Sequence, residues 1–303
     1  MNEAKYFRLK LNEPKTFIKL FEILGKLLDF AEVSISPSSL YLVAMDASHV
    51  LNVELTLPGV FFNEYIIHIP KKIRLDLKEL NQVLKRSRNE PLFLMDSSYE
   101  NKLVAQFQSN ESKRNFRVKL QDPIDNAEPI RDIDYKATVS MVAEYVAELV
   151  GDALLANDYA TFMLKSNGSG DCFTINAEGD GDTEFDVEIK NFLEKPAASG
   201  KQQSIYSLIY LDDIVKLKDV ATKVNLRFSS DMPLELIYPL EHDGKIVLTL
   251  APRATDEEGE AVSDEPQKKR GKPLVIKDDE GDIDLEPEDE SEKPEEESEA
   301  EQG

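Results

Sequence analysis

Apolar and polar residues alternate along positions 5–11, the two-residue period of a half-buried strand. From Phe17 the period changes: Phe17, Leu20, Phe21, Leu24, Leu27 and Leu28 recur three and four apart and so share one helical face. Strand-like runs follow at 31–36, 39–44 and 51–57, the first two joined by the turn Ser36-Pro37-Ser38-Ser39. The same strand-helix-strand-strand-strand order then returns three times. It runs through 65–70, 76–87, 91–96, 102–109 and 112–120, then through 135–140, 141–152, 158–165, 171–177 and 182–189. Its last copy takes 203–210, 211–218, 223–229, 234–239 and 244–250. Four copies of one unit predict two duplicated domains of α+β class, residues 1–121 and 135–253. Between them residues 122–134 carry Pro123 and Pro129 and no clean period, as a surface connector does.

With 303 residues, 41% of them hydrophobic, the chain has enough apolar side chains for two cores. No apolar run approaches the roughly 20 residues of a membrane span. The opening Met1-Asn2-Glu3-Ala4-Lys5 lacks the basic-then-apolar order of a signal peptide, so the protein is expected to stay where it is made. Cys172 is the only cysteine, which excludes an internal disulfide and a thiolate metal cluster within one chain and fits a reducing compartment.

A formal charge of -23 argues against a nucleic-acid binder until its distribution is considered. Residues 254–303 hold 21 acidic and 6 basic side chains, a net -15 that leaves -8 for residues 1–253. This tail of Glu, Asp, Ser and Pro is too poor in apolar surface to offset its ordering entropy and is expected to be disordered. Within it, Lys268-Lys269-Arg270-Gly271-Lys272 fits a nuclear address or a basic contact, and Leu274-Val275-Ile276 a docking segment. A solvated charge cluster beside incidental apolar residues is the favoured account of both.

No catalytic constellation stands out. His49, His68 and His242 are scattered without metal-ligand spacing, so no metal site is expected. Gly200-Lys201 lacks the earlier glycine and the following Ser or Thr of a phosphate-binding loop. Asp180, Asp182 and Glu184 resemble the start of a calcium loop, but Phe185 occupies the place of its glycine. In so acidic a chain, carboxylate pairs are too numerous to nominate an acid-base enzyme. No cofactor is implied.

Four short stretches carry a resemblance: Ala44-Met45-Asp46-Ala47-Ser48-His49-Val50, Lys119-Leu120-Gln121-Asp122, Asp231-Met232-Pro233-Leu234 and Leu250-Ala251-Pro252-Arg253. In order and spacing they resemble the proliferating cell nuclear antigen family, the sliding clamps of archaea and eukaryotes. The resemblance covers residues 1 to about 253. It implies three head-to-tail subunits, identical or paralogous, closed into a ring with helices lining the hole and antiparallel sheets outside. It also implies a non-enzymatic partner of double-stranded DNA that tethers polymerase, clamp-loader, nuclease and ligase type clients through a short peptide beside the connector. The host decides the compartment: cytoplasm for an archaeon, the favoured reading, or nucleus for a eukaryote.

The residues can be read against each implied surface. Along 112–120 alternation sets Lys113, Asn115, Arg117 and Lys119 on one face; along 182–189 it sets Asp182, Glu184, Asp186 and Glu188 on one face. A basic edge of one subunit would thus meet an acidic edge of the next. For the hole, Lys78, Gln82, Lys85 and Arg86 align on the helix at 76–87. Lys15, Lys19 and Lys26 share an arc with Glu22 and Asp29, and Lys216 and Lys223 stand beside Asp212 and Asp219. The third helix departs from the family by exposing Glu144, Glu148 and Asp152 with no basic residue. The implied client pocket consists of Met45, His49, Val50, Ile130, Pro233, Ala251 and Pro252, apolar enough for an aromatic plug. Asn52 and Thr249 stand where relatives carry larger apolar side chains, so a shallower or more selective floor is expected.

Two other classes compete with this reading. An acidic chaperone for basic partners would explain the tail and the net charge, but not the repeat or the matched strand faces. A hydrolase would need a pocket of shifted carboxylates.

Overall fold

The computed structural model of the chain describes residues 6–96, 101–124, 133–167, 170–179 and 183–253. The first half runs β1 (Phe7–Leu11), α1 (Lys15–Leu27), β2 (Phe30–Ile35), β3 (Ser39–Met45), β4 (Leu51–Pro58), β5 (Glu64–Ile67), β6 (Lys71–Asp76), α2 (Leu77–Leu84), β7 (Leu92–Asp96), β8 (Lys102–Gln108) and β9 (Lys113–Lys119). The second half repeats it as β10 (Ala137–Val142), α3 (Ala143–Ala153), β11 (Tyr159–Asn167), β12 (Gly170–Glu178), β13 (Glu184–Ile189), β14 (Glu194–Ala198), β15 (Lys201–Ser207), α4 (Leu208–Ile214), β16 (Lys223–Phe228), β17 (Leu234–Pro239) and β18 (Lys245–Leu250). A 3₁₀ turn, Val215–Asp219, prolongs α4.

Pairing shows the duplication directly. β1 lies between β5 and β7 as β10 lies between β14 and β16, and β6 pairs with β2 as β15 pairs with β11. Three antiparallel sheets result, in the orders β5-β1-β7-β8-β9, β14-β10-β16-β17-β18-β4-β3-β2-β6 and β13-β12-β11-β15. The nine-stranded sheet crosses between the halves because β4 and β18 pair over six residues, Leu51↔Leu250 to Thr56↔Lys245.

The repeat is as expected in order but differs in two strands and two helix ends. Residues 64–67 pair with β1 and close the first copy, so the strand leading into α2 is β6, not 65–70. Pro70 has no N–H to continue a ladder, and beyond it Ile73 and Leu75 bury a fresh alternating face. β14 contains Pro196, which argues against a strand, yet β14 is an edge that pairs only with β10, where a missing donor is tolerated. The helix expected at 76–87 ends at Leu84, leaving Lys85 and Arg86 in the closing turn. The one expected at 211–218 starts earlier, at Leu208, directly after β15.

The helices pack as one layer: α2 on α1, α1 on α4 and its 3₁₀ turn, and α3 on the same pair. Phe17, Leu20, Phe21 and Leu24 of α1 and Leu77, Leu80 and Leu84 of α2 are buried, each contributing about 1.5–3 kcal/mol relative to exposure. Gly25 brings α1 close to α2, since a side-chain carbon there would overlap the Asn81 amide. Asp76 caps α2 by accepting from the Glu79 N–H at 2.9 Å.

Candidate subunit, DNA and client surfaces

Both strands nominated for the subunit edge lie at the margin of a sheet. β9 pairs only with β8, and β13 only with β12. On β9, Lys113, Asn115, Arg117 and Lys119 are exposed; on β13, Glu184, Asp186 and Glu188 are exposed. Asp182 lies outside the described residues. Glu188 already accepts from Cys172 Sγ at 3.0 Å and from Lys190 Nζ at 3.1 Å, contacts that hold its carboxyl below the usual range. Towards the helix side, half-buried Phe116 on β9 and Phe185 and Val187 on β13 add apolar surface next to the charges. Unpaired backbone groups on such edges are templates for another strand.

On the helix layer three of the nominated cations already have carboxylate partners. Lys19 Nζ lies 3.2 Å from Asp219 and 3.5 Å from Glu22, Lys78 Nζ lies 2.5 Å from Asp29, and Lys216 Nζ lies 2.6 Å from Asp213 and 2.9 Å from Asp212. Hydrogen bonds to Asp219, Asp29 and Asp213 respectively lead the causes that raise the pKa of Lys19, Lys78 and Lys216. All three remain cationic at neutral pH. Lys15, Lys26, Lys85 and Arg86 are exposed and, among the described residues, form no ion pair. Lys223 is not on a helix: it opens β16, where it pairs with Glu194 at 3.3 Å. The strand separates it from the stripe into which helical spacing had placed it.

The third surface forms where three segments meet. In the β3, β4 and β18 register, Met45, Asn52 and Thr249 are successive partners across one row. Ala251 N–H donates to Val50 O at 2.9 Å, and the Leu234↔Leu250 pair sets Pro233 beside Ala251. His49, at φ 58, turns its Nδ1 to within 3.1 Å of Met45 Sδ. Met45, His49, Val50, Pro233, Ala251 and Pro252 are thus brought together, whereas Ile130 lies outside the described residues. Asn52 and Thr249 are buried, and Asn52 Nδ2 has no partner among the described residues.

Asp46 holds the 46–50 loop. Its Oδ1 accepts from the N–H groups of Val50 at 2.8 Å and Leu51 at 2.7 Å, its Oδ2 from Ser48 N–H at 3.1 Å and Tyr210 O–H at 2.9 Å, with Ser48 Oγ also in contact. Burial alone would push its pKa up, but these donors outweigh burial and hold it below the ordinary value. The opposite wall is fixed by buried Tyr206, whose O–H donates to Met232 O at 2.8 Å in front of Pro233.

Residues 6–128 match the family described as proliferating cell nuclear antigen, N-terminal domain. The DNA polymerase sliding clamps of Thermococcus gammatolerans and Pyrococcus horikoshii are each 30% identical over 82% of this chain and 99% of their own length. The chain belongs to the sliding-clamp family. Crystal structures agree: that of the proliferating cell nuclear antigen, PCNA, from Thermococcus kodakaraensis superposes with a TM-score of 0.74 at 27% identity, covering 82% of this chain and all of that one. The PCNA2-PCNA3 complex from Sulfolobus tokodaii shares the fold at 20% identity and a TM-score of 0.72, covering 81% of this chain and 99% of the matched one. The chain is a DNA sliding clamp, sliding clamps are non-catalytic scaffolds, and the acidic-chaperone reading is not favoured.

Three features of this clamp escaped the sequence reading. Lys218, on the 3₁₀ turn, reaches Glu144 of α3 at 2.6 Å, so the acidic third helix borrows a cation from its neighbour. The sequence offered only a helix-period count, in which Lys218 is one more surface lysine. Asp46 stood inside a quoted motif, but its role depends on Tyr210, 164 residues away. Phe116, Phe185 and Val187 alternate with those charges, and strand period alone gives no sign that they stay half-buried.

Proposed function

We propose that this clamp closes head to tail into a ring of three subunits, β9 of one pairing antiparallel with β13 of the next, and that duplex DNA passes through the hole. The observation that carries this reading is that the two open sheet edges expose faces of opposite charge. A heterologous contact of this kind closes a cyclic assembly. Residues 1–121 and 135–253 serve as its two domains, joined by 122–134 and followed by the acidic segment 254–303.

The helix layer faces the DNA, with Lys15, Lys26, Lys85 and Arg86 as its readily available cations and Lys19, Lys78 and Lys216 releasing carboxylates to reach phosphates. Sequence-blind contacts of this kind permit sliding. Polymerase, clamp-loader, nuclease and ligase type clients insert a peptide at Met45, His49, Val50, Pro233, Ala251 and Pro252, with Ile130 as a further wall. The Sulfolobus structure is a complex of PCNA2 with PCNA3, and the acidic α3 of this chain favours a comparable arrangement, a mixed ring in which a partner supplies more basic helices. The working compartment is the cytoplasm of an archaeal cell.

Encirclement is tested on a nicked circular plasmid carrying clamp placed by a clamp loader. Clamp should remain through a high-salt wash and leave after the circle is cut. Equal loss from circular and linear DNA would sink the ring reading.

A further inference from the structure

The outer face of the β12–β11–β15 sheet carries an open groove of about 430 Å³ that begins at Arg253, the residue after Pro252 of the client surface, and runs along β11 and β15. Its lining carries Arg253 over Tyr159 at one end and Lys165 and Lys201 at the other, with Glu178 as the single carboxylate. Lys165 and Lys201 are direct partners in the β11–β15 ladder, both exposed, and among the described residues neither forms an ion pair. Like charges opposite one another across a ladder are unfavourable, and an anion lying over both relieves the repulsion.

Arg253 fixes where the chain leaves. Its guanidinium lies over the Tyr159 ring, 4.2 Å from the centroid, and its N–H donates to Ile205 O at 2.8 Å. The next residues include Asp256, Glu257, Glu258, Glu260, Asp264 and Glu265, with no basic residue before Lys268. Lys201 lies four positions from Ile205 along β15, about 13 Å at roughly 3.3 Å per residue. An extended chain starting at Arg253 covers that distance by Glu257.

We propose that residues 256–265 dock across this groove, over Lys201 and Lys165, as an occupant supplied by the same chain. The tether places these carboxylates at an effective concentration on the order of millimolar, which a free acidic peptide must match. The hold is electrostatic and weakens as salt screens it.

The test uses the full-length clamp as an equal mixture of isotopically light and heavy chains. Carbodiimide at low salt should join Lys165 or Lys201 to residues 256–265 within one chain, and the products should vanish at high salt. Lysine acetylation should be several-fold slower at Lys165 and Lys201 than at Lys15 and Lys85. Replacing Asp256→Asn, Glu257→Gln, Glu258→Gln and Glu260→Gln together, which leaves the folded body untouched, should bring the rates level. Equal rates in the unaltered protein, or cross-links only between different chains, would overturn the proposal. So would protection that appears only after an acidic client peptide is added, because the groove would then serve a partner.

Discussion

Arg117→Glu reverses one charge in the middle of the basic edge. Arg117 is exposed on β9, opposite Val104 of β8, with its other side on the open margin of the sheet. One cross-strand pair of opposite charges contributes about 0.2–1 kcal/mol and a like pair costs a similar amount, so the reversal weakens each seam by about 0.4–2 kcal/mol. That corresponds to about 2- to 30-fold in the dissociation constant of one seam. In a ring of identical subunits all three seams change together, whereas in a mixed ring only the seam made by β9 of this chain changes. The half-buried Phe116, Phe185 and Val187 are not altered, so the ring should loosen on dilution rather than fail to form. Sedimentation velocity over a dilution series measures the midpoint. Wild type and variant should converge as salt rises, because the screening length shrinks from about 10 Å at 0.1 M to about 3 Å at 1 M. Asp186→Arg should restore part of the lost affinity. If Arg117→Glu dissociates at the wild-type concentration at low salt, β9 is not the subunit edge.

Lys78→Ala, Lys85→Ala and Arg86→Ala combined should shorten polymerase products on long templates while ring formation and client-peptide affinity stay at wild-type values; unchanged product length would remove these residues from the DNA path. Met45→Asp should weaken client-peptide binding by about 1–3 kcal/mol, the cost of an uncompensated polar group, which calorimetry reads directly; equal affinity would displace the pocket. Asp46→Ala should lower stability by about 2–3 kcal/mol at neutral pH, as expected for lost hydrogen bonds to a charged acceptor. Because the folded state depresses the Asp46 pKa, this stabilisation is full above the unfolded value of about 3.9 and fades as pH falls through the folded one. Urea midpoints for wild type and variant should therefore converge in acid, and a constant gap would contradict the linkage. Asn52→Leu removes a buried amide whose Nδ2 has no partner among the described residues and should raise stability by about 1 kcal/mol, seen as a higher calorimetric Tm; a lower Tm would show that the amide is satisfied.

Periodicity was a good guide wherever burial alone sets the pattern. Phe17, Leu20, Phe21 and Leu24 announce α1, and Leu103, Ala105 and Phe107 announce β8, because each faces one core. It failed where an element is held by its neighbours. β14, with Pro196 between charged and small residues, exists because β10 offers an edge. Leu208, Ile209 and Tyr210 read as strand because an apolar run has no period of its own, and only the turn away from β15 makes them helical. The charge faces of β9 and β13 were legible because strand alternation is strict. The pairing of Lys19 with Asp219 or Lys218 with Glu144 was not, since it depends on how α1, α3 and the 3₁₀ turn lie together. The meeting of Met45, Val50, Pro233 and Ala251 was legible as a set of motifs, while Asp46, which holds the 46–50 loop in shape, gave no sign of its partner on α4.

The β4–β18 junction has a mechanical consequence. Six consecutive residue pairs carry the sheet from one half of the subunit to the other, and the strands on either side belong to the same nine-stranded sheet. A bending load is therefore shared along a ladder rather than concentrated in the connector. The subunit acts as a stiff arc, and in the ring proposed above the compliant points are the seams between subunits. Opening to admit DNA then means parting one seam and flexing at the other two, with each arc keeping its shape.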